Sequence, residues 1–430
     1  MKAVAHAAEW LRAQKSVRLV SHFDADGLCG CAIMKAALSA VGIETELEVL
    51  PVLTRAALAR LPRDEPLLFI DVGSALPELD AYNAFVIDHH KSDAMPEQML
   101  NPWSEGLDGG RDACSATLCL RVAQEFGEQD ALLPIAIIGL LADSQEKRGL
   151  RGVNKAVVDT AVEKGLVSVE ERLRLFGYER KGLASMLVQS RDLRIPGVTG
   201  NPHGARRMLE ELGIPLRSGG RETRYNDLSA EQKAALLAMG RRRATRHPAT
   251  TIHITILHEE GLFRDARQVA TLLNACGRLE HAELGVAMLL GDAEARQAGK
   301  TLLNEYRDTL REAYAWLQTS KDVERGERFV IANARDKVRP SIIGTVCSMA
   351  TRSGDVGRDV VVVGLARVGG LTKVSLRVND HSERDVHTLL QSILEGFDAE
   401  CGGHRVAAGA VIKTEDEARF IERAKALLSK

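Results

Sequence analysis

Early in the chain, three short apolar runs each end in acidic or imidazole side chains. "VRLVSH" carries His22 and runs into Asp24 and Asp26, "LLFID" ends at Asp71, and "AFVIDHH" ends at Asp88, His89 and His90. Short apolar runs bounded by turn residues read as buried strands, and "IETELEVLPV" adds another. Between and after them, residues at roughly 28–41, 114–126 and 131–142 have helical period. Alternation of strand and helix predicts a parallel sheet covered on both faces. In such a sheet the carboxyl ends of the strands converge on one crevice, where ligands bind. A further apolar run, "IAIIGLLADSQ", carries Asp143 at its end. One Asp after a strand is an ordinary turn or cap residue, and Asp26 alone reads as a helix cap. Four such places, in this order, deliver acids and imidazoles to one edge.

Carboxylates crowded into a partly buried crevice raise one another's pKa unless positive charge compensates. Divalent cations supply that charge. Oxygen ligands with one or two imidazoles suit manganese or magnesium. The seven cysteines (29, 31, 114, 119, 276, 347 and 401) form no CxxC pair, so they read as reduced core residues rather than a zinc site. Two adjacent ions bridged by a carboxylate activate water and hold a phosphoryl group for displacement, which is the chemistry of phosphoester hydrolysis. The formal net charge of −2 gives no global basic field. Contact with nucleic acid therefore has to come from local patches or bound metal.

The stretch 153–250 is mostly helical in period and holds the turn-rich "RIPGVTGNPHG" and a basic run at 240–248, "GRRRATRHP". That run reads either as a phosphate-tracking patch or as a solvated linker face. A second lobe begins at "TIHITIL", with "GVAMLL", "ERFVIANA", "DVVVVGLA" and "LTKVSLRV" as strands, and ends in "CGGHRVAAGA" and a closing helix. The expected division is 1–195, 196–250 as a helical connector, and 251–430. "GDAEARQAGKT" ends like a nucleotide-binding loop, but Glu294 stands where that loop requires glycine, which excludes it. No apolar stretch is long enough to cross a bilayer, and the N-terminus carries charges where a signal peptide needs an apolar core. The expected location is cytoplasmic, with no membrane partner.

The ordered set "HFDADG", "FIDVGS", "VIDHHKSD" and "LLADSQ" resembles the four motifs of the DHH phosphoesterase superfamily, and "GGHRVAAG" at 402–409 resembles the GGHxxAAG signature of its DHHA1 domain. The segments at 264–278 and 194–201 are similar to those of the archaeal RecJ-like branch, which includes nucleases associated with the replication complex GINS. The resemblance implies an α/β fold: an N-terminal parallel-sheet DHH domain and a smaller C-terminal α/β DHHA1 domain. It implies Asp24, Asp26, Asp71, His89 and Asp143 as ligands of two Mn²⁺ ions, with Mg²⁺ as the alternative and Asp71 as the bridge. His22 joins them, at the histidine spacing of the RecJ type. His90 would contact the scissile phosphate, while Asp88 would orient a histidine.

In the second lobe Gly402, Gly403 and His404 would cradle a substrate phosphate with backbone N–H groups, the alternative being a plain Gly-rich hairpin. Arg377 would grip phosphate or be a surface arginine. Asn274 and Arg278 share a helix face and are weaker candidates for substrate contact. The activity implied is a RecJ-like, single-strand-specific exonuclease of DNA or RNA, acting in replication or repair with GINS or other proteins of those pathways. A hydrolase of oligoribonucleotides, of 3′-phosphoadenosine 5′-phosphate or of cyclic dinucleotides would share every site residue. A replisome scaffold without essential activity is the non-enzymatic alternative. With 3 Trp, 5 Tyr and 9 Phe there is little material for base stacking, so backbone contacts should dominate.

Overall fold

The computed structural model describes residues 2–429 apart from 52, 93–94, 176, 179–180, 191–192, 246–248 and 354, and omits the side chains of Arg148 and Glu400. The end of the basic run, 246–248, and Asp93 of the third motif thus lie outside the described residues. The chain divides into two compact units, Met1–Leu303 and Asn304–Lys430.

The first unit opens with α1 (Lys2–Arg12), β1 (Ser16–His22), α2 (Ala25–Ala40), β2 (Glu44–Leu50), the short α3 (Arg55–Leu58), β3 (Leu67–Ile70), β4 (Ala84–Ile87) and β5 (Met99–Leu100). The strands form one all-parallel sheet in the order β2-β1-β3-β4-β5. β3 and β4 are buried at every position, as apolar strands covered on both faces must be. α4 (Ser115–Ala123), α5 (Leu133–Ala142) and α6 (Gly152–Glu163) follow. α2, α4 and α5 pack on one another, and α5, apolar all round, is buried along nearly its whole length. Asp143 therefore sits at a helix end, as the C-cap of α5, while Asp24, Asp71 and Asp88 follow strands.

β6 (Val167–Leu173), α7 (Leu183–Val188), α8 (Pro202–Glu211), the small hairpin β7 (Arg217–Ser218) and β8 (Arg221–Glu222), α9 (Ala230–Arg243) and β9 (Thr250–Ile256) come next. The expected connector is a packed subdomain with its own core, which includes Leu183, Met186, Ile195, Met208, Leu209 and Leu236. The helical reading of 153–250 missed β6, which pairs antiparallel with β9 from Val167↔Ile256 to Leu173↔Thr250. That pairing fastens β9 to β6 across the expected boundary at 250/251. α10 (Ala266–Arg278) and α11 (Ala282–Leu289) then return to pack on α2, and α10 also on α5. "GVAMLL", expected as a strand, is the end of α11, because its apolar side chains cover α2 and α10. α12 (Ala293–Thr319) straddles the division in the chain.

The second unit holds β10 (Val323–Arg325), β11 (Phe329–Asn333), α13 (Pro340–Ser353), β12 (Val361–Val368), β13 (Leu371–Arg377), α14 (Val386–Leu394), β14 (Glu400–His404), β15 (Ala407–Lys413) and α15 (Glu417–Leu428). Its sheet, β10-β11-β12-β13-β15-β14, is antiparallel except between β11 and β12. All seven cysteines are free, and all but Cys401 are buried. Among the described residues no helix is long and apolar enough to cross a membrane.

Candidate metal centre

Motif by motif, the strand ends and two helix ends of the first unit bring the carboxylates together. Asp24 is the N-cap of α2: its Oδ1 accepts from the backbone N–H of Asp26 and Gly27, both at 3.1 Å. Its Oδ2 lies 3.0 Å from His22 Nδ1. Asp26, fully buried, accepts from the first amides of α4: Ser115 N at 2.7 Å and Ala116 N at 3.0 Å. An anion at a helix N-terminus is favoured by the unpaired amides and the dipole. Asp71 has φ +63, a left-handed conformation that few non-glycine residues adopt. Ser115 Oγ donates to its Oδ1 at 2.9 Å.

The two oxygens of Asp71 face opposite partners. Oδ2 is 3.3 Å from His22 Nδ1, and Oδ1 is 3.4 Å from His89 Nε2. His89 donates from Nδ1 to the Gly109 carbonyl at 2.7 Å, which leaves Nε2 facing the carboxylates. Nε2 in turn lies 3.0 Å from Asp143 Oδ2 and 3.9 Å from Asp26 Oδ2. Three groups result whose ligand atoms all lie within 4.8 Å of one another: His22, Asp24 and Asp71; Asp26, His89 and Asp143; and Asp71, His89 and His90.

Asp88 is turned elsewhere. Its Oδ2 accepts from Ser74 N at 3.1 Å and from the Ser74 hydroxyl, and its Oδ1 accepts from the amides of His89 (2.7 Å) and His90 (3.2 Å). Its Oδ1 also lies 2.8 Å from His90 Nδ1, holding that half-exposed ring by one nitrogen.

The electrostatics fit a cation pair. Burial pushes the Asp26 carboxyl up, and Asp143 and Asp71 push it the same way. Burial pulls His22 down, yet Asp24 and Asp71 outweigh it and hold the ring up at about 10. His89 is likewise raised, by Asp143 and Asp71 against burial, and His90 reaches about 9 beside Asp88. Protons are thus retained where negative charge is concentrated, the state that bound metal replaces. The buried Nδ1 of His22 lies between two carboxylate oxygens, at 3.0 Å from Asp24 and 3.3 Å from Asp71. A donor set of carboxylate oxygens and imidazoles without thiolate fits hard divalent ions such as Mn²⁺ or Mg²⁺.

Several supporting residues were not among the site candidates read from the sequence, although Gln145 stands inside "LLADSQ". Gln145 donates to the Gly109 carbonyl at 2.9 Å, Asn154 Nδ2 donates to Gln145 Oε1 at 2.5 Å, and Thr117 Oγ1 donates to Asn154 Oδ1 at 2.9 Å. This buried chain fixes the carbonyl that orients His89. Asn274, weighed above for substrate contact, accepts from the Ala25 amide at 3.3 Å.

The remaining expected residues belong to the second unit. Arg377 donates from Nη1 to the carbonyls of Leu376 (2.8 Å) and Ala408 (2.9 Å) and from Nε to Ser348 Oγ (3.1 Å). Gly402, Gly403 and His404 are exposed on β14, paired with Gly409, Ala408 and Ala407.

The chain is similar to known proteins in both units. A DHH-CID domain matches residues 175–257, the subdomain with its own core, and a DHHA1 domain matches residues 326–430. The chain thus carries a DHH-CID and a DHHA1 domain, and its fold is RecJ-like. It is 26% identical over 423 residues to an uncharacterised protein of Methanocaldococcus jannaschii, covering 95% of this chain and 92% of that protein. RecJ from Thermus thermophilus, solved in complex with Mn²⁺, is 20% identical with a TM-score of 0.61. The likeness covers 100% of this chain but 54% of that RecJ, so the chain spans about half its length. CDC45 from Entamoeba histolytica is 12% identical with a TM-score of 0.62, covering 98% of this chain and 97% of that one.

Proposed function

We propose that this DHH-superfamily chain is a Mn²⁺-dependent phosphodiesterase, a RecJ-like exonuclease that trims single-stranded DNA or RNA. The observation that carries the reading is the division of Asp71, one oxygen toward His22 and the other toward His89. A carboxylate so placed suits a bridge between two ions, His22 and Asp24 serving one and Asp26, His89 and Asp143 the other. Two divalent ions would acidify a water and neutralise charge on the phosphoryl oxygens.

The chain's own residues supply orientation and one hydrogen-bond donor. His90 is fixed through Nδ1 by Asp88 on a half-exposed ring, so that its Nε2–H would donate to a substrate phosphate oxygen. Asp88, with all its bonds inward, acts through His90 as a positioning residue. In the second unit, Arg377 and the backbone of Gly402, Gly403 and His404 take further phosphates. Contacts confined to the backbone give little sequence preference. GINS or another replication or repair protein is the partner proposed, in the cytoplasm.

The likeness to CDC45 supports a second, scaffold reading, since fold alone does not distinguish the two. A complete set of donor atoms favours the enzyme. Digestion of 5′- and 3′-labelled single-stranded DNA and RNA, and of a dinucleotide, with Mn²⁺, Mg²⁺ or EDTA tests it. Stepwise shortening of the long strands with Mn²⁺, abolished by EDTA and by Asp71→Asn, is expected. Cleavage of the dinucleotide alone would make the chain a short-substrate hydrolase, and no hydrolysis at all would leave the scaffold.

A further inference from the structure

Glu146 lies just past Asp143, in the 3-10 turn Gln145–Arg148, and is 4% exposed. A carboxylate that deep requires a partner. It has one on α10: Arg267 Nη2 donates to Glu146 Oε1 at 2.6 Å, while Glu146 Oε2 has no hydrogen bond. Nη1 of the same guanidinium reaches the Leu141 carbonyl at 3.4 Å, a longer second contact in the last turn of α5. Asp143 caps that turn. Arg267 therefore touches both sides of the ligand-bearing corner.

The rest of α10 is anchored too. Asp265 caps its N-terminus, accepting from Arg267 N at 2.9 Å and Gln268 N at 3.2 Å. Toward its other end, Asn274 holds the amide of Ala25, the residue between Asp24 and Asp26. Gly277 approaches so closely that a Cβ there would lie 1.6 Å from the Phe23 carbonyl oxygen. Beside Glu146, Gln145 bonds to the Gly109 carbonyl that orients His89. The turn after Asp143 is thus gripped on one side by the His89 network and on the other by α10.

We infer that Arg267 is a positioning residue for the metal ion served by Asp26, His89 and Asp143, acting through Glu146 and the end of α5. The inference rests on the two-ion reading. A guanidinium suits the task because its planar fork engages two acceptors at once.

The test is a titration of the full chain with Mn²⁺, read as free ion by electron paramagnetic resonance, beside thermal melting in EDTA. The variants are Arg267→Met and Arg267→Met combined with Glu146→Gln. The double variant removes the unpaired buried charge, so it melts close to wild type and carries the test if the single variant does not fold. Wild type is expected to take two ions. Both variants should bind one of them about 10–100-fold more weakly, the range found when partners of metal ligands are removed, with the other unchanged. Wild-type affinity at both sites in the double variant would overturn the inference, as would equal weakening of both sites in step with melting. Fewer than two ions on the wild type would instead sink the two-ion reading itself.

Discussion

Asp71 shows how one side chain unites several requirements. Its backbone continues β3, with its amide on the Ile87 carbonyl at 2.9 Å, yet turns left-handed at once, and its carboxylate lies between His22 and His89. Ser144, next to Asp143, has φ +58, so both ends of the cluster hold non-glycine residues in a conformation that costs energy. The ligand candidates were legible because each follows an apolar run, a local pattern. Ser74, Ser115, Gln145 and Asn154 were not, because their value lies in partners far away in sequence: the Ser115 hydroxyl meets a carboxylate 44 residues before it, and Gln145 a carbonyl 36 residues before it. Gly109 belongs with them. A Cβ there would stand 2.0 Å from the His89 carbonyl oxygen and 2.6 Å from Trp103 Nε1, which donates to that oxygen at 3.0 Å. Gly109→Ala should therefore cost about 1–3 kcal/mol of stability by overpacking. It should also weaken Mn²⁺ binding by moving the carbonyl that holds His89. Paired melting and Mn²⁺ titration check both, and unchanged affinity would show that His89 does not depend on that carbonyl.

Among the elements, apolar strands covered on both faces were easy to read and the polar ribbon strand β6 was not. β3 and β4 are apolar throughout because both faces are covered. β6, "VSVEERL", carries two glutamates and an arginine in a two-stranded ribbon, so its pattern is close to that of a polar helix face. α11 failed in the other direction. Its Ala, Leu and Met residues form helix readily, but a short apolar run does not reveal which neighbours cover it. In the hairpin of β14 and β15 the adjacent glycines have different reasons to exist. Gly403 has φ +137, and a Cβ there would meet the Ala407 carbonyl oxygen at 2.4 Å, whereas nothing lies within 4 Å of one on Gly402. Gly403→Ala should cost about 1–3 kcal/mol. Gly402→Ala should leave melting within about 0.5 kcal/mol of wild type, as surface changes do. If Gly402 serves the phosphate cradle, its alanine variant should nonetheless bind single-stranded nucleic acid more weakly. Unaltered binding would reduce "GGH" to a turn.

For the molecule as a whole, the sequence carried the α/β class and the order of the motifs. The expected boundary at 250/251 followed a change in local period, whereas pairing and packing cross it: β9 is held by β6, and α10 by α2 and α5. The same long-range convergence makes stability depend on pH and metal together. His22, held at about 10, and His90, at about 9, keep protons in the folded chain that ordinary histidines give up near pH 6.5. Asp26, pushed up by burial, acts with the same sign. The metal-free protein should thus be most stable below about pH 6.5 and lose stability as pH rises toward about 9. Asp24 and Asp88, both held low, contribute at acid pH, below this window. Metal ligands must be deprotonated, so Mn²⁺ competes with those same protons and its affinity rises with pH. At a free concentration of about 100 times the Kd, binding adds about 2.7 kcal/mol. Melting curves in Mn²⁺ and in EDTA should accordingly diverge from about pH 6 to about pH 8, with the EDTA curve falling. A gap independent of pH would mean that the ion displaces no protons, and hence that it does not sit among His22, His89 and Asp26.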